Sequence, residues 1–382
     1  MKKKILLFGP IGDFGGRELE AGFIASILST HYHVDVCTTS LVSDQSQVFS
    51  FNKNQKVFSL NDLLCNVDYT IKTLSFLAYL KNRFRGSFRN YANNVVAKRY
   101  FNYDKKVKNI IEELVKQYNA VFICANLSSN YITDIVAFSK KYNVKVIFRT
   151  TGQIKDINFD YLGNVDLFIH HSSSNAGKLK LENYKIIDQC SFIEDKLLSL
   201  VNNNSNTNFL LLGRLSAEKG FEEAIDFFVR CKGEMDNLTI VGDGELKEKL
   251  QLKYASFPEI KFTGFIKSED LDKIFSEIDC LIIPSLEESG PLVGIEAMVA
   301  AKSIISTKVG AMEERLQDTL NDFWFDINDY HSFERVFNRF KNLDNQFLNE
   351  INQSLRNKYK KTYSIESISI KYLKSIDKIL EP

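Results

Sequence analysis

Residues 281–298 combine the residue types that bind an anion together with hydroxyl groups. The apolar run 281–283 indicates a buried strand, and the Pro-Ser pair that follows ends this strand. Pro291 then predicts the start of a helix, because a proline at the first helical position loses no hydrogen bond. The N–H groups at a helix start attract anions. Since Glu288 and Glu296 flank this helix start, the stretch could hold the phosphate and the hydroxyls of a sugar phosphate together.

A second phosphate-binding geometry is predicted near the beginning of the chain. Residues 5–8 predict a strand, residues 9–16 form a Gly-rich loop, and residues 17–28 predict an amphipathic helix. Glycines in such a loop allow the backbone to approach a phosphate closely. The spacing is neither GxGxxG nor a P-loop. A tight strand-to-helix turn without a ligand is therefore the alternative interpretation.

The rest of the chain predicts two series of alternating strands and helices. The predicted strands lie at residues 33–38, 120–125, 144–148 and 167–171 in the first series, and at 209–212, 238–241, 260–262 and 303–306 in the second. Such alternation is typical of doubly wound parallel sheets. The polar run 202–208 has no periodicity and predicts a linker between them. Residues 364–380 predict a final helix that packs back on the first half.

Length and composition restrict the classes of function. A chain of 382 residues exceeds what one hydrophobic core usually supports, which favours two domains. A net charge of +1 gives no overall attraction to nucleic acid, so we expect no nucleic-acid partner. The six cysteines form no CxxC pair, which favours a reducing cytoplasm. No stretch reaches the ~18 apolar residues of a membrane-spanning helix, and we expect a soluble protein.

Residues 81–108 form a locally basic segment with interleaved aromatic residues. Its cations are Lys81, Arg83, Arg85, Arg89, Lys98, Arg99, Lys105, Lys106 and Lys108, against the single acid Asp104. One interpretation is a helical segment that lies on anionic lipid headgroups, giving peripheral membrane contact. The other is a solvated helix face whose aromatic residues belong to the core.

The second half carries an ordered set of motifs. They are Gly213-Arg214-Leu215 with Glu218-Lys219-Gly220, Gly242-Asp243-Gly244, Glu288 followed after seven residues by Glu296, and Gly310-Ala311 with Glu314. In order and spacing, with Gly15-Gly16 before the first helix, they resemble the GT-B glycosyltransferases of family 4. The resemblance implies an α/β fold of two Rossmann-like domains facing across a central cleft. It also implies a retaining, hexosyltransferase-type enzyme that uses a nucleotide-diphospho-sugar and needs no metal or other cofactor.

The resemblance also divides the chain and assigns roles to residues. It implies an acceptor-side domain at 1–190 joined by helix 364–380, a linker at 191–207, and a nucleotide-sugar-binding domain at 208–363. The catalytic candidates are Arg214 and Lys219 on the donor diphosphate and Glu288 on the donor sugar. The other donor-binding candidates are Glu296 on the ribose, Gly15, Gly16, Gly290, the N–H groups of Leu292 and Val293, and Phe265 with Ile266 at the base. A guanidinium and an ammonium can stabilise the charge that develops on a leaving diphosphate.

The sequence departs from the family pattern at three places. Many relatives have Glu-Gly-Phe-Gly where this chain has Glu288-Ser-Gly-Pro291, and Pro291 lacks a backbone donor. Ala311 replaces the second glycine of a Gly-Gly pair. Where relatives often carry a histidine near position 148, this chain has Arg149-Thr-Thr-Gly152, at a strand end where ligands of open α/β sheets bind.

We therefore expect a glycosyltransferase that takes a UDP- or GDP-sugar and acts on a glycan or lipid-linked acceptor. The Asn/Lys/Ile-rich composition is typical of a low-GC bacterium, in which such enzymes often build surface polysaccharides. The expected location is the cytoplasm, peripheral to the inner face of the plasma membrane. The alternatives are a sugar-nucleotide epimerase of the same fold and a non-catalytic nucleotide-sugar-binding protein.

Overall fold

The structure, a computed structural model, describes residues 2–201 and 205–381. Residues 202–204, in the polar run predicted as a linker, lie outside the described residues. The chain divides into two compact units. Unit 1 comprises Met1–His170, Ala176–Ile187 and Ser369–Pro382, and unit 2 comprises His171–Asn175 and Asp188–Ile368.

Unit 1 is built on a sheet of parallel strands. These are β1 (Lys4–Gly9), β2 (His33–Thr38), β3 (Val57–Ser59), β4 (Ala120–Ala125), β5 (Lys145–Thr150), β6 (Leu167–His170) and β7 (Tyr184–Ile186). Their order across the sheet is β3-β2-β1-β4-β5-β6-β7, and every pairing is parallel. The strand order therefore reverses between β1 and β4.

Unit 2 repeats this plan with six strands. These are β8 (Asn208–Leu212), β9 (Asn237–Val241), β10 (Ile260–Gly264), β11 (Cys280–Ile283), β12 (Ser303–Ser306) and β13 (Phe323–Trp324). Their order is β10-β9-β8-β11-β12-β13, again parallel throughout. The prediction of an α/β fold with two Rossmann-like sheets is confirmed.

Helices connect the strands in both units. They are α1 (Gly16–Leu28), α2 (Leu60–Val67), α3 (Tyr69–Lys81), α4 (Val95–Tyr100), α5 (Tyr103–Val115), α6 (Ile132–Lys141), α7 (Ser173–Leu179), α8 (Glu194–Leu198), α9 (Phe221–Cys231), α10 (Lys247–Lys253), α11 (Leu271–Glu277), α12 (Leu292–Ala300), α13 (Met312–Leu316), α14 (Tyr330–Lys341), α15 (Asn345–Thr362) and α16 (Ile365–Leu380). Helix α8 lies inside the range 191–207 that was predicted as linker. None of the helices in the described part of the chain is long and apolar enough to cross a bilayer.

Aromatic packing fixes the core of unit 2. The ring of Phe209 on β8 lies 4.7 Å from that of Phe337 and 5.7 Å from that of Phe340, both on α14. Phe228 on α9 packs edge-on against Phe209. Strands covered on both faces read as nearly continuous apolar runs, which is why residues 209–212 were recognisable from the sequence.

The last helix contacts residues of unit 1. The hydroxyl of Tyr372 on α16 donates to Glu20 at 3.5 Å, and its ring lies 6.2 Å from that of Phe122. Asp377 accepts a hydrogen bond from the hydroxyl of Tyr32. The end of α16 thus packs against α1 and the strand β4, where its apolar side is buried.

The basic segment 81–108, interpreted from the sequence as helical, is divided into several short elements. Helix α3 ends at Lys81, a 3₁₀ turn covers Phe88–Tyr91, and α4 and the start of α5 follow. Arg83, Phe84 and Gly86 all have positive φ, between 56° and 69°, which a right-handed helix cannot accommodate. The sequence thus breaks the helix into short pieces and turns its side chains in several directions.

Candidate functional site

The predicted catalytic residues of unit 2 lie at one edge of its sheet. Strand β8 pairs with β11, and the strand order reverses between them. In open α/β sheets, ligands bind outside the carboxyl ends of the strands at such a reversal. Arg214 and Lys219 follow β8, and Glu288 follows β11. The topology thus brings together residues that are about 70 positions apart in the chain.

Close backbone packing holds the loops after β8 and β11 together. The N–H of Leu286 donates to the carbonyl of Glu218 at 2.9 Å. Gly220 has a φ of 63°, and a Cβ there would lie 2.4 Å from the carbonyl oxygen of Pro284. Any other residue at position 220 would be strained and would push the two loops apart.

Lys219 and Glu288 form an ion pair across these loops. The ammonium of Lys219 contacts Oε1 of Glu288, and the side chains are only 23% and 17% exposed. Arg214 lies on the same loop with its side chain exposed. A hydrogen bond from Ser216 lowers the pKa of Glu218, and the charges of Lys219 and Arg214 lower it further. Lys219 and Arg214 therefore place positive charge beside Glu218 in this loop.

Helix α12 begins directly after the loop that carries Glu288. It starts at Leu292, with Pro291 as the preceding residue, one position later than the sequence predicted. The N–H groups of Leu292 and Val293 have no acceptor within the helix, because each lies in its first turn. Pro291 removes one donor from this helix start, and the N–H groups of Leu292 and Val293 remain to face an anion.

Glu296 occupies the second turn of α12 and is buried, with 4% of its surface exposed. Burial raises the pKa of Glu296 to about 7. The described residues offer its carboxylate no hydrogen bond or ion pair. A buried carboxylate without a partner is unfavourable, so hydroxyl donors of a ligand would improve its environment.

A buried guanidinium supports the backbone between Glu288 and α12. Arg315 on α13 is fully buried and donates to both carboxylate oxygens of Asp188, each at 2.7 Å. It also donates to the carbonyl of Pro291. A Cβ on Gly290 would lie 2.9 Å from Nη2 of Arg315 and 3.2 Å from His171. Gly290 therefore packs directly against the side chain of Arg315, which fixes the backbone conformation at this position.

Sequence reasoning missed Arg315 and Asp188. Arg315 directly follows Glu314 of the last motif, and this adjacency was the only available signal for it. The loop of that motif packs on the same backbone, because a Cβ on Gly310 would lie 2.6 Å from the carbonyl oxygen of Ser289. The pKa of Asp188 lies well below its usual range, because the favourable charge and hydrogen bonds of Arg315 outweigh burial.

Phe265 and Ile266, predicted at the base of a nucleotide, follow β10 at the same edge of the sheet. The order β10-β9-β8 places them two strands away from Lys219. The side chain of Phe265 is exposed, whereas that of Ile266 packs partly against the unit 2 core. Only the aromatic ring of this pair is thus presented to solvent.

A carboxylate of the protein lies beside the glycine-rich loop predicted in unit 1. Gly15 precedes α1 and Gly16 is its first residue. Oε1 of the buried Glu18 accepts a hydrogen bond from the N–H of Gly12 at 2.9 Å. A Cβ on Gly15 would lie 2.6 Å from Oε2 of Glu18, whereas a Cβ on Gly16 would meet no atom within 4 Å. An acid in the third position of a helix commonly satisfies backbone donors, a signal that could have revealed Glu18.

Arg149, at the end of β5, is part of the interior of unit 1. Its side chain is fully buried, pairs with Glu20 at 2.6 Å and donates to the carbonyl of Ile187 at 2.5 Å. Beside it, Oγ1 of Thr150 and Nδ1 of His170 share a hydrogen bond of 2.8 Å. These groups hold α1, β5 and β6 together, and the guanidinium of Arg149 binds partners within unit 1.

The unit 2 edge holds cationic groups but no cluster of metal ligands among the described residues. In residues 2–201 and 205–381, no three His, Cys, Asp or Glu side chains are grouped so that they could hold a metal ion. Glu288 is already paired with Lys219. Positive charge for an anion therefore comes from Arg214, Lys219 and the start of α12.

Comparisons with known proteins agree with this geometry. The chain is 27% identical over 193 residues to the UDP-Gal:alpha-D-GlcNAc-diphosphoundecaprenol alpha-1,3-galactosyltransferase of Escherichia coli, which is 49% of this chain and 47% of that protein. It is 28% identical over 119 residues to an uncharacterized glycosyltransferase of Methanocaldococcus jannaschii, which is 30% of each chain. The matches thus span less than half the length of these curated relatives.

The whole chain is similar to solved structures. The crystal structure of Alr3699/HepE from Anabaena in complex with UDP and glucose superposes with a TM-score of 0.71 at 15% identity, covering 98% of this chain and 99% of that one. Residues 194–362 match the family Glycosyl transferases group 1. This chain therefore contains a glycosyl transferases group 1 domain and has the fold of the GT-B glycosyltransferases.

Proposed function

We propose that this protein is a retaining, metal-independent glycosyltransferase of family 4 that transfers a hexosyl residue from a nucleotide-diphospho-sugar. The observation that carries the proposal is the single edge of the unit 2 sheet that joins Lys219, Glu288 and the start of α12. Cations and helix N–H groups suit a diphosphate. The same edge lies within the matched domain.

The donor would be a UDP- or GDP-sugar whose parts match groups along this edge. Its diphosphate would lie on Arg214, Lys219 and the first turn of α12. Its ribose hydroxyls would donate to the buried Glu296, whose carboxylate has no partner among the described residues. The similar Anabaena structure is a complex with UDP and glucose, which supports a uridine nucleotide as the first donor to test.

Donor binding would rearrange the ion pair between Lys219 and Glu288. An incoming diphosphate carries more charge than one carboxylate and would take over the ammonium of Lys219. Glu288 would then be released to accept hydrogen bonds from the hydroxyls of the donor sugar. Before the donor binds, the ion pair thus holds both side chains in position and compensates their charges.

The transfer step needs no strong protein base in this scheme. The acceptor hydroxyl oxygen bonds to the anomeric carbon on the face from which the diphosphate leaves, so the configuration is retained. The bond from that carbon to the phosphate oxygen breaks, and the departing oxygen takes the proton of the acceptor hydroxyl. Arg214 and Lys219 stabilise the negative charge on the leaving diphosphate, the role that a metal ion has in other enzymes.

The acceptor would be a glycan or a lipid-linked sugar in bacterial surface polysaccharide synthesis. The Escherichia coli relative is named for a diphosphoundecaprenol acceptor. All six cysteines of this chain are free, which favours a reducing compartment and supports a cytoplasmic location.

A two-part experiment tests the donor and the reaction. A thermal-shift screen of UDP- and GDP-sugars should raise the melting temperature with one of them, because a ligand that binds only the folded state stabilises it. With that donor, lipid-linked and oligosaccharide acceptors should yield an α-linked product from an α-linked donor, at the same rate after treatment with EDTA. A β-linked product would refute retention, and conversion of the sugar without an acceptor would indicate an epimerase.

A further inference from the structure

A continuous stretch of unit 1 lacks acidic residues. Residues 69–103 contain no Asp or Glu and seven Lys or Arg residues. The stretch begins with α3 and includes α4. We name this region the basic–apolar surface. A run of cations without any compensating acid is expected to attract an anionic partner.

The outward face of α3 is apolar, which is unusual for a helix on a protein surface. Tyr69 is 82% exposed, and Phe76, Leu77 and Leu80 are also exposed. These residues recur at helical spacing and share one face, whereas Ile71 and Ser75 are buried on the opposite side. Solvent thus contacts the apolar side of this helix.

Further exposed apolar residues follow α3. The region from Val67 to Phe101 holds ten of the 22 exposed large apolar residues within the described part of the chain. After α3 these are Phe84, Val95, Val96, Tyr100 and Phe101. Contiguous apolar patches of this kind mark interaction sites. One interpretation of the sequence placed the aromatic residues of segment 81–108 in the core. Several of them therefore lie at the surface instead.

Ring contacts join α3 to the segment that follows it in the sequence. Phe76 packs edge-on against Phe88 with ring centroids 6.4 Å apart, and Tyr79 packs against Phe84 at 5.3 Å. The hydroxyl of Tyr91 donates to the carbonyl of Arg85 at 2.9 Å. The exposed residues of α3 and the turn with its cations thus form one supported surface rather than separate loose loops.

Cations at this surface and just after it, at the start of α5, divide into paired and available groups. Arg89 pairs with Asp62 at 3.2 Å, Lys106 with Asp68 at 2.6 Å and Lys108 with Asp134 at 2.9 Å. Those three were included in the basic segment of the sequence prediction, but they stabilise the fold. The cations for which the described residues offer no ion pair are Lys72, Lys81, Arg83, Arg85, Lys98, Arg99 and Lys105.

We propose that the basic–apolar surface docks on an anionic lipid bilayer, with the α3 face at the acyl boundary and the available cations on the headgroups. An interfacial helix buries its apolar face about 5–10 Å deep beside basic residues. A lipid surface fits better than a second copy of this chain, because a symmetric dimer would bring the same cations face to face. This inference goes beyond sugar transfer and does not depend on it.

Vesicle sedimentation with the full-length protein tests the proposal. The protein should sediment with vesicles containing phosphatidylglycerol, remain in solution with pure phosphatidylcholine, and lose binding as salt is raised, because ions screen the attraction. The variant R83Q/R85Q/K98Q/R99Q should bind far more weakly, since each basic residue near an anionic surface contributes about fivefold in affinity. The variant F76S/L77S/L80S should also lose binding, because it removes the apolar face.

A matched control separates this surface from net charge. The variant K53Q/K261Q/K360Q/K361Q removes four exposed lysines elsewhere on the chain and should sediment like the unchanged protein. Circular dichroism melting confirms that each variant is folded. No sedimentation of the unchanged protein with anionic vesicles, or equal loss in the charge variant and the control, would overturn the proposal.

Self-association of the protein through this surface is tested in parallel. If sedimentation velocity showed a dimer that F76S/L77S/L80S dissociates, without vesicle binding, the surface would belong to a second copy and the lipid proposal would fail. Vesicle binding needs no donor or turnover. Its failure would leave the transferase proposal intact, and a failed transfer assay would leave the lipid proposal intact.

Discussion

Both units place a glycine-containing loop between their first strand and first long helix, but the two loops carry opposite charge. In unit 1 the carboxylate of Glu18 lies in the loop and accepts the N–H of Gly12. In unit 2 the corresponding loop carries Arg214 and Lys219. The same strand, loop and helix thus carry a carboxylate that binds its own loop in one unit and two cations in the other.

This difference shows that the backbone motif alone does not make an anion site. A loop before a helix offers N–H groups in both units. What differs is the charge beside the loop, an acid that already accepts a loop N–H in unit 1 and two cations in unit 2. On this basis the proposed diphosphate site belongs mainly to unit 2.

Each unit also contains one fully buried arginine, which gives a matched pair of variants. R315M and R149M each remove the guanidinium that balances the charge of a buried carboxylate, Asp188 or Glu20 respectively. We expect each to lower the free energy of unfolding by about 3–5 kcal/mol, measured by urea titration. Only R315M should also raise the KM for the donor, because Arg315 supports Pro291 and Gly290.

The double variant R315M/D188L separates support from stability. Replacing both partners by apolar residues removes the unpaired charge and should restore most of the stability. The KM for the donor should stay raised, since the hydrogen bond to the carbonyl of Pro291 is still missing. A donor KM that recovered together with stability would show that Arg315 contributes to the fold alone.

K219A tests the cationic loop of unit 2. We expect kcat to fall by at least about a hundredfold, corresponding to roughly 3 kcal/mol for a charged contact in the transition state. The measurement is the initial rate at saturating donor, with K261A on β10 as the control of equal charge change. A rate within tenfold of that of K261A would contradict the assignment of Lys219.

Much of the unit 2 framework was readable from the sequence because the signals are local. Strand β12 (Ser303–Ser306) has the predicted bounds and strand β9 (Asn237–Val241) begins one residue before its predicted start, since apolar runs mark both within a few residues. Pro291 marked the start of α12 to within one position for the same reason.

Other features depend on contacts between residues that are distant in the sequence, and local patterns could not predict them. The pair of Lys219 and Glu288 requires β8 and β11 to be neighbours, which no local pattern specifies. The support by Arg315 requires the chain to bring Asp188 beneath α12. Helix α3 is apolar on both of its faces, so its periodicity could not predict which face is exposed.

The buried Asp188 is paired with Arg315, whereas the buried Glu296 has no partner among the described residues. The stability of the protein should therefore depend on pH through Glu296. Its pKa is raised to about 7 in the folded state, above its value of ~4.3 in an unfolded chain. The neutral form is therefore favoured by folding, and stability from this group is lost as the pH rises from about 4 through 7. Between pH 5 and pH 8 the loss should reach about 2.5 kcal/mol.

E296Q removes this dependence and should be more stable than the unchanged protein at pH 8, in urea titrations repeated at several pH values. It should also bind the donor more weakly, because an amide oxygen is a poorer acceptor than a carboxylate for ribose hydroxyls. If the stability of both proteins fell equally with pH, another group would be responsible.

The smallest expected effect tests whether the loop of unit 1 contacts the donor at all. A Cβ on Gly16 meets no atom of the protein within 4 Å, and Gly16 starts α1 without a positive φ. G16A should therefore fold normally and gain a few tenths of a kcal/mol, because alanine favours the helix. The resemblance to family 4 places Gly16 against the donor, where the added methyl would raise the donor KM severalfold. An unchanged KM in this well-folded variant would confine the donor site to unit 2, as the contrast between the two loops suggests.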